Sequence, residues 1–484
     1  MLEKLKGLTK QTLTYGIGNI LVRMITFLLL PIYTNVLDQA EYGVAVLILI
    51  FIAFFNHIYR YGIDSAVLKF YKSADSSKEK SEILSTGFYQ TLLTSFILSL
   101  AIYLLHEPLG NFLIHKNAYL IKYAALILFF NCMSWIPMAL LRLKEKPKLF
   151  LGIRLVEVVL TMGLNIYFLI IAGMGVEGIF ISTALASFTK FFLFFLTIIK
   201  DLKITFKWTS AKQLFLFGLP LMPTGLSISA MQLVNRRLVI ERFLGTDQVG
   251  LYGAGYKLGK MMMLISTAFY FAWQPFFLHS GVNDESKKLF SRVLTYFTFA
   301  ALSIWLILTV FIDKIVNIHI GANYLISPDY HASIKLVPYL LLAFVFYGIY
   351  QIFLPGIYFK KKTKYIAYNV VIAALVNISG NFLLVPRIGL LGSALGTLLG
   401  YIVLAILTYR CSQKLIKINY EYSRVALLFL IFVPIGFITF YSQFDFVLKL
   451  IIVLIIPGIL LISNFFNKEE LNFIKKVLNK GANN

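Results

Sequence analysis

Cysteine is nearly absent from this chain. Cys132 and Cys411 are the two among 484 residues, both in or beside long apolar runs, so no disulfide framework follows. Charge is scarce, at 14% of residues against about 25% in soluble domains. Acids are scarcer still, 22 Asp and Glu against 45 Lys and Arg. The six histidines (57, 106, 115, 279, 319 and 331) lack metal-ligand spacing, and no D-x-D pair is present to hold a metal against a nucleotide sugar. Gly253, Gly255, Gly259 and Lys260 resemble a phosphate loop, but Ala254 stands where its first glycine belongs and Met261 replaces the hydroxyl residue. The longest polar stretches, near 61–82 and 313–332, are too short to hold a folded domain. These absences exclude an extramembrane catalytic module. The basic, then apolar, start looks like a signal peptide. Its apolar run is too long and lacks a small-residue cleavage site, so it reads as a retained first helix.

What the chain has is apolar length: 59% of it is hydrophobic. A membrane-crossing helix needs about 20 mainly apolar residues. Fourteen such segments can be read, near 12–34, 42–62, 83–105, 118–140, 151–172, 176–199, 213–235, 248–278, 293–312, 333–357, 365–385, 389–409, 425–442 and 446–464. The runs are long and lack period-2 alternation, which selects helices over barrel strands. Tyr and Phe gather at run ends, as aromatic belts require. The expected fold is an all-α polytopic membrane protein.

The formal net charge of +23 suggests nucleic acid until its distribution is read. With an inside N-terminus, Lys and Arg cluster on alternate loops: Lys4, Lys6 and Lys10; Lys144, Lys146 and Lys148; Lys360, Lys361, Lys362 and Lys364; Lys475, Lys476 and Lys480. The other loops hold few. This bias places both termini in the cytoplasm and supports an even helix count. The excess charge serves orientation and lipid headgroups, and no nucleic-acid partner is implied.

The chain repeats itself. Shifted by 207 positions, Leu244 falls on Leu37, Gly250 on Gly43, Pro223 on Gly16 and Gly225 on Gly18. Lys144, Lys146, Lys148 and Asn165 precede Lys360, Lys362, Lys364 and Asn381 by 216, and Gly175 and Gly178 precede Gly389 and Gly392 by 214. Residues 1–200 therefore form one six-helix lobe and 201–412 a second, with 413–484 adding two further helices and a cytoplasmic tail. An even helix number per lobe gives both the same orientation, related by a pseudo-two-fold axis along the membrane normal. Gly392, Gly396 and Gly400, like Gly178, Ser182 and Ala186, make one-faced ladders of small residues. They suit either static close packing or a sliding surface.

Charge within a span is expensive and marks a candidate site. Arg23 lies midway along helix one, too deep to snorkel fully. Lys257 and Lys260 lie about ten and thirteen residues into helix eight, roughly 15–18 Å deep at 1.5 Å per residue. Three apart, they share a face, and two like charges there need an anion or water between them. Arg154 and Glu157, one turn apart, can neutralise each other, and Lys190 is expected to snorkel to the inner surface. Arg236 and Arg237 sit where helix seven meets the outer surface, to contact an anionic ligand at exit or a headgroup. Pro220 and Pro223 break helix seven at the depth of Gly16 and Gly18 in helix one. These four are the candidate hinge or gating positions.

Two six-helix halves, two extra helices and Arg23 resemble the polysaccharide-export branch of the multidrug/oligosaccharidyl-lipid/polysaccharide exporter superfamily. The segments LPIYTNVLDQAEYGVAVL, RFLGTDQVGLYGAGYKL and NISGNFLLVPRIGLLGSALGT look like phrases its flippases carry after helices one and seven and across helices eleven and twelve. The resemblance implies a V-shaped two-lobe transporter, not an enzyme, in the bacterial inner membrane. It implies a cationic central cavity that takes an undecaprenyl-diphosphate-linked oligosaccharide, an O-antigen or capsule repeat unit, to the outer leaflet by alternating access. Arg23 sits where such cavities carry a helix-one arginine, and Lys257 and Lys260 supply the second lobe's charge. No cofactor is expected, and coupling to a proton or sodium gradient stays open. Partners are the lipid-linked glycan, membrane lipids and other polysaccharide-assembly proteins. Two alternatives stand: a multidrug or cation antiporter, which usually needs buried carboxylates, and a membrane polymerase or glycosyltransferase, which needs a large outer loop or a carboxylate cluster.

Overall fold

The computed structural model describes residues 27–466 apart from 116, 322, 443 and 464. Among the described residues, strand is limited to the hairpin of His319–Ile320 with Asn323–Tyr324. The helices follow the apolar runs: α1 Leu30–Val36, α2 Gln39–Arg60, α3 Ser77–Leu104, α4 Ile121–Leu143, α5 Pro147–Asn165 and α6 Gly175–Leu196. The broken helix α7 comes next. Then come α8 Thr246–Ser280, α9 Asp284–Val316, α10 Val337–Ile352, α11 Lys364–Ile388, α12 Leu390–Leu415, α13 Tyr422–Tyr441 and α14 Phe446–Ile462. Eleven described helices are long and apolar enough to cross a membrane, and α14 is a shorter apolar one. With α7 and α1, they follow the fourteen runs in order.

Helix starts are set by local chemistry. Asp38 caps α2 by accepting from the Glu41 amide at 2.7 Å, while the Glu41 carboxylate accepts from the Asp38 amide at 3.2 Å, a capping box that satisfies two otherwise orphaned donors. Ser76, Asn283 and Asp445 cap α3, α9 and α14 in the same way. Gly389, at φ 63°, alone separates α11 from α12. Only glycine enters that left-handed region cheaply.

Helix α7 is interrupted where its prolines fall. Trp208–Gly218 leads into a tight 3-10 turn, Leu219–Leu221, then into Met222–Leu233 and a widened i→i+5 stretch, Val234–Glu241. Pro220 and Pro223 each remove a backbone donor. The two parts of α7 have different company. Leu214, Phe217 and Met222 join a core with Tyr61, Ile63, Ile83, Leu84 and Ile136 of the first lobe. Gly218 approaches so closely that a Cβ on Gly62 would lie 2.5 Å from its carbonyl oxygen. Further along, Asn235 donates to Asn377 of α11 at 2.5 Å. The helix therefore begins in a core with the first lobe and takes up bonds with the second further along.

Packing repeats as the sequence does. α2 packs on α4 as α8 packs on α10, α4 on α6 as α10 on α12, and α5 on α6 as α11 on α12. The small-residue ladder of α12 faces α11 in its own lobe: Cβ atoms on Gly392, Gly396 and Gly400 would crowd Leu384, Asn381 and Asn377. Helix α13 lies on α9, with Gly436 accommodating the Trp305 ring, and Glu421 accepts from Thr295 at 2.6 Å.

The lobes meet at the ends that the charge bias assigns to the outside. Gly43 of α2 rests on the Thr246 carbonyl, and Gly250 of α8 rests on the Gln39 carbonyl. One turn deeper, Val46 fills the space beside Gly253, where a Cβ would lie 2.7 Å from its Cγ2. Absent side chains let these backbones touch. Around them, Tyr330 donates to Leu37 O at 3.0 Å or Asp38 O at 2.8 Å, Asn35 to Tyr324 O at 2.7 Å, and Gln39 to Asp329 O at 2.5 Å. The outer side of the cleft is thus closed by hydrogen bonds and ring contacts.

Candidate functional site

Just below that closure, three cations converge. Lys257 places Nζ 4.8 Å from the Tyr33 ring and 5.1 Å from the Tyr42 ring, both in the first lobe. Lys260 and Arg236 share the Tyr256 ring, at 5.0 and 4.4 Å, and Arg236 also lies 5.2 Å from Tyr252. The local cause is spacing. Lys257 and Lys260 lie on one face of α8, and Tyr252 and Tyr256 stand one turn apart on the same helix. The widened stretch of α7 turns Arg236 inward, where it is 4% exposed. A tyrosine face attracts a cation but does not cancel its charge. The Nε of Arg236 and the hydroxyl of Tyr42 are buried and have no hydrogen-bond partner among the described residues, unusual for buried polar atoms.

The tyrosines are themselves held. Tyr33 donates to Asn165 of α5 at 3.0 Å, and the Tyr252 hydroxyl lies 3.2 Å from Thr397 of α12. Behind Lys260 a cavity of about 200 Å³ opens into the second lobe between α7, α8, α10, α11 and α12. Tyr256, Tyr347, Tyr350 and Tyr401 form much of its wall, with Gln232 and Asn377, and no described lining residue is a carboxylate.

A family model described as "Polysaccharide biosynthesis protein" matches residues 32–328. The chain belongs to this family. Among solved structures, it superposes on the lipid II flippase MurJ in an inward closed conformation with a TM-score of 0.73 at 16% identity, covering 92% of this chain and 97% of that one. A multidrug resistance MATE family transporter of the MOP superfamily, inward-facing, gives 0.62 at 13% identity, over 86% and 95%. A Vibrio cholerae MATE transporter, the VcmN D35N mutant, gives 0.57 at 14%, over 84% and 97%. No curated protein matches the sequence. The matched family is one of polysaccharide biosynthesis proteins, and the superpositions show that this chain has the fold of the flippase and the two transporters.

The remaining candidate residues of this family member divide clearly. Arg23, Gly16 and Gly18 lie outside the described residues. Pro220 and Pro223 sit at the α7 interruption. Arg237 is not at an exposed surface: it is 8% exposed, under the short outer helix His106–Ile114. Its guanidinium pairs with Glu241 and donates to Phe112 O, and His115 Nε2 stands 3.0 Å from Glu241. Arg237 is thus committed to protein partners, whereas Arg236 faces the cluster. Lys190 does not snorkel. Glu157 lies 3.1 Å and Asn131 2.5 Å from its ammonium, and Glu157 also takes Arg154 at 2.6 Å. A buried carboxylate within reach outweighs the distant surface. Sequence reasoning assigned the tyrosines to interfacial belts and so missed Tyr33, Tyr42, Tyr252 and Tyr256. The available signal was the spacing of Tyr252 and Tyr256 alongside Lys257 and Lys260.

Proposed function

We propose that this protein flips an undecaprenyl-diphosphate-linked oligosaccharide, an O-antigen or capsule repeat unit, from the cytoplasmic to the outer leaflet of the bacterial inner membrane. The observation that carries the reading is the convergence of Arg236, Lys257 and Lys260 on tyrosine faces where the two lobes meet. A diphosphate-linked glycan is anionic and hydrated, and bare transfer through hydrocarbon is prohibitive. A cationic, hydrated cleft lowers that barrier while the polyprenyl tail stays in the bilayer. In this reading Arg23 faces the lysines from the first lobe, the cleft opens alternately to each side, and Gly16, Gly18, Pro220 and Pro223 are the bending points. Both termini are cytoplasmic, and a proton or sodium gradient is the candidate driving force. A cation-exporting antiporter fits less well, because no described residue lining the cavity is a carboxylate.

Deleting the gene tests the reading. Cells should lose surface glycan and accumulate the undecaprenyl-diphosphate-linked precursor on the cytoplasmic leaflet, and the plasmid-borne chain should reverse both. Unchanged surface glycan in the deletion strain would refute it.

A further inference from the structure

The halves of this chain differ in one place where their helices correspond. In the first lobe, Asn131, Arg154, Glu157 and Lys190 fill the space between α4, α5 and α6 with a compact charged cluster. The offset of 216 that aligns Lys144 with Lys360 carries Asn131 to Tyr347, Arg154 to Val370 and Glu157 to Ala373. The offset of 214 that aligns Gly178 with Gly392 carries Lys190 to Leu404. All four counterparts line the second-lobe cavity. Three long charged side chains have become Val, Ala and Leu, and the space they would occupy is open.

Protein interiors hold few voids larger than a water molecule. The volume, about 200 Å³, is many times the roughly 10–15 Å³ that one ordered water needs, so a guest larger than water fits. The wall suits a sugar. Tyr347, Tyr350 and Tyr401 line the cavity, and a tyrosine face carries the negative π surface against which the C–H face of a pyranose packs. Gln232 and Asn377 offer donors and acceptors for its hydroxyls. Lys260 stands at the cavity and Arg236 contacts the same Tyr256 ring, so an anionic group attached to that sugar would lie among cations.

Building on the proposed function, we infer that this second-lobe cavity is a monosaccharide subsite that holds the first sugar of the lipid-linked glycan, the one bonded to the diphosphate, while Arg236, Lys257 and Lys260 hold the diphosphate itself. In the first lobe the equivalent space is filled by the charged cluster. Substrate engagement is accordingly asymmetric in a symmetric scaffold.

The test separates sugar from diphosphate. Ala374→Phe fills the cavity, Tyr350→Leu removes a platform without adding volume, and Tyr350→Phe keeps the ring. Surface glycan is measured in the deletion strain carrying each variant. The thermal shift produced by inorganic pyrophosphate is measured on each purified protein. Ala374→Phe and Tyr350→Leu should lower export of the native glycan at least ten-fold and keep the pyrophosphate shift, and Tyr350→Phe should export within two-fold of the parent. If Ala374→Phe does not accumulate in the membrane, Tyr350→Leu decides. Parental export by the accumulating variants, with the pyrophosphate shift intact, overturns the sugar subsite and leaves the diphosphate reading standing. Absence of any pyrophosphate shift in the parent removes the diphosphate reading itself.

Discussion

Gly43 and Gly250 make one contact twice. Gly43 rests on the carbonyl of Thr246, Gly250 on that of Gln39, and both pairs are related by the shift of 207 positions. The pseudo-two-fold axis therefore passes between α2 and α8 at their outer ends, and the outer closure is built on it. A methyl group on either glycine would overlap the facing carbonyl oxygen. Because that obstacle is backbone, the helices themselves must part. Gly43→Ala and Gly250→Ala should each bias the cleft toward its outward-open state, and by similar amounts. Spin labels on Gln39 and Thr246 would report the separation. An unchanged distance in either variant would show that this contact does not hold the closure.

The cationic cluster should matter to transport more than to folding. Lys257→Gln with Lys260→Gln should lower export more than ten-fold while the protein still inserts. Lipid-facing lysines at this depth would instead cost about 2.5–3.5 kcal/mol each on insertion scales, and removing them would raise the melting temperature and spare export. Arg23→Ala should abolish export at normal abundance, and Arg23→Lys should retain part of it. Melting temperature in detergent and surface glycan, read together, distinguish these outcomes.

Arg237 should behave in the opposite way. Its removal leaves Glu241, 8% exposed, without its guanidinium, and breaking a buried ion pair costs about 3–5 kcal/mol. Arg237→Ala should therefore lower thermal stability, Arg237→Lys should restore only part because it lacks the planar fork, and the Arg237→Ala, Glu241→Gln double change should cost less than the two single changes summed. Chemical denaturation in detergent measures all of these. A fully additive double variant would show that the pair is not coupled.

Topology gives the simplest check. Reporter fusions after Asn484 should register in the cytoplasm, and fusions within 38–41 should register outside. A C-terminus on the outer side would require an odd helix count and contradict the fourteen-helix reading.

The sequence made the helices legible because length and apolar content alone decide whether a segment crosses a membrane, and the described helices follow those runs in order. The repeat was legible because glycine recurs where the backbones touch, as Gly43 and Gly250 do. The cation cluster was half legible. Lys257 and Lys260 stand out within an apolar run, whereas Arg236 looks like a surface residue until the widened turn of α7 rotates it inward. Lys190 was misread because its partner Glu157 lies on another helix, and no one-dimensional spacing brings them together. The cavity left no trace in composition, since it arises from what Val370, Ala373 and Leu404 lack compared with their counterparts.

Helix α7 adds a mechanical consequence. Its inner portion shares a core with the first lobe, and its outer portion bonds to the second through Asn235 and Asn377 and back to the first through Arg237 and Phe112 O, with the interruption at Leu219–Leu221 between the two portions. The covalent boundary between the repeats, in the loop near 200–207, is therefore not the seam at which the halves could be pulled apart. The helix works as a strap buckled at its prolines. Co-expressed fragments divided in that loop would leave the first without Leu214 and Phe217 from its core, whereas fragments divided just after Leu221 would keep both there.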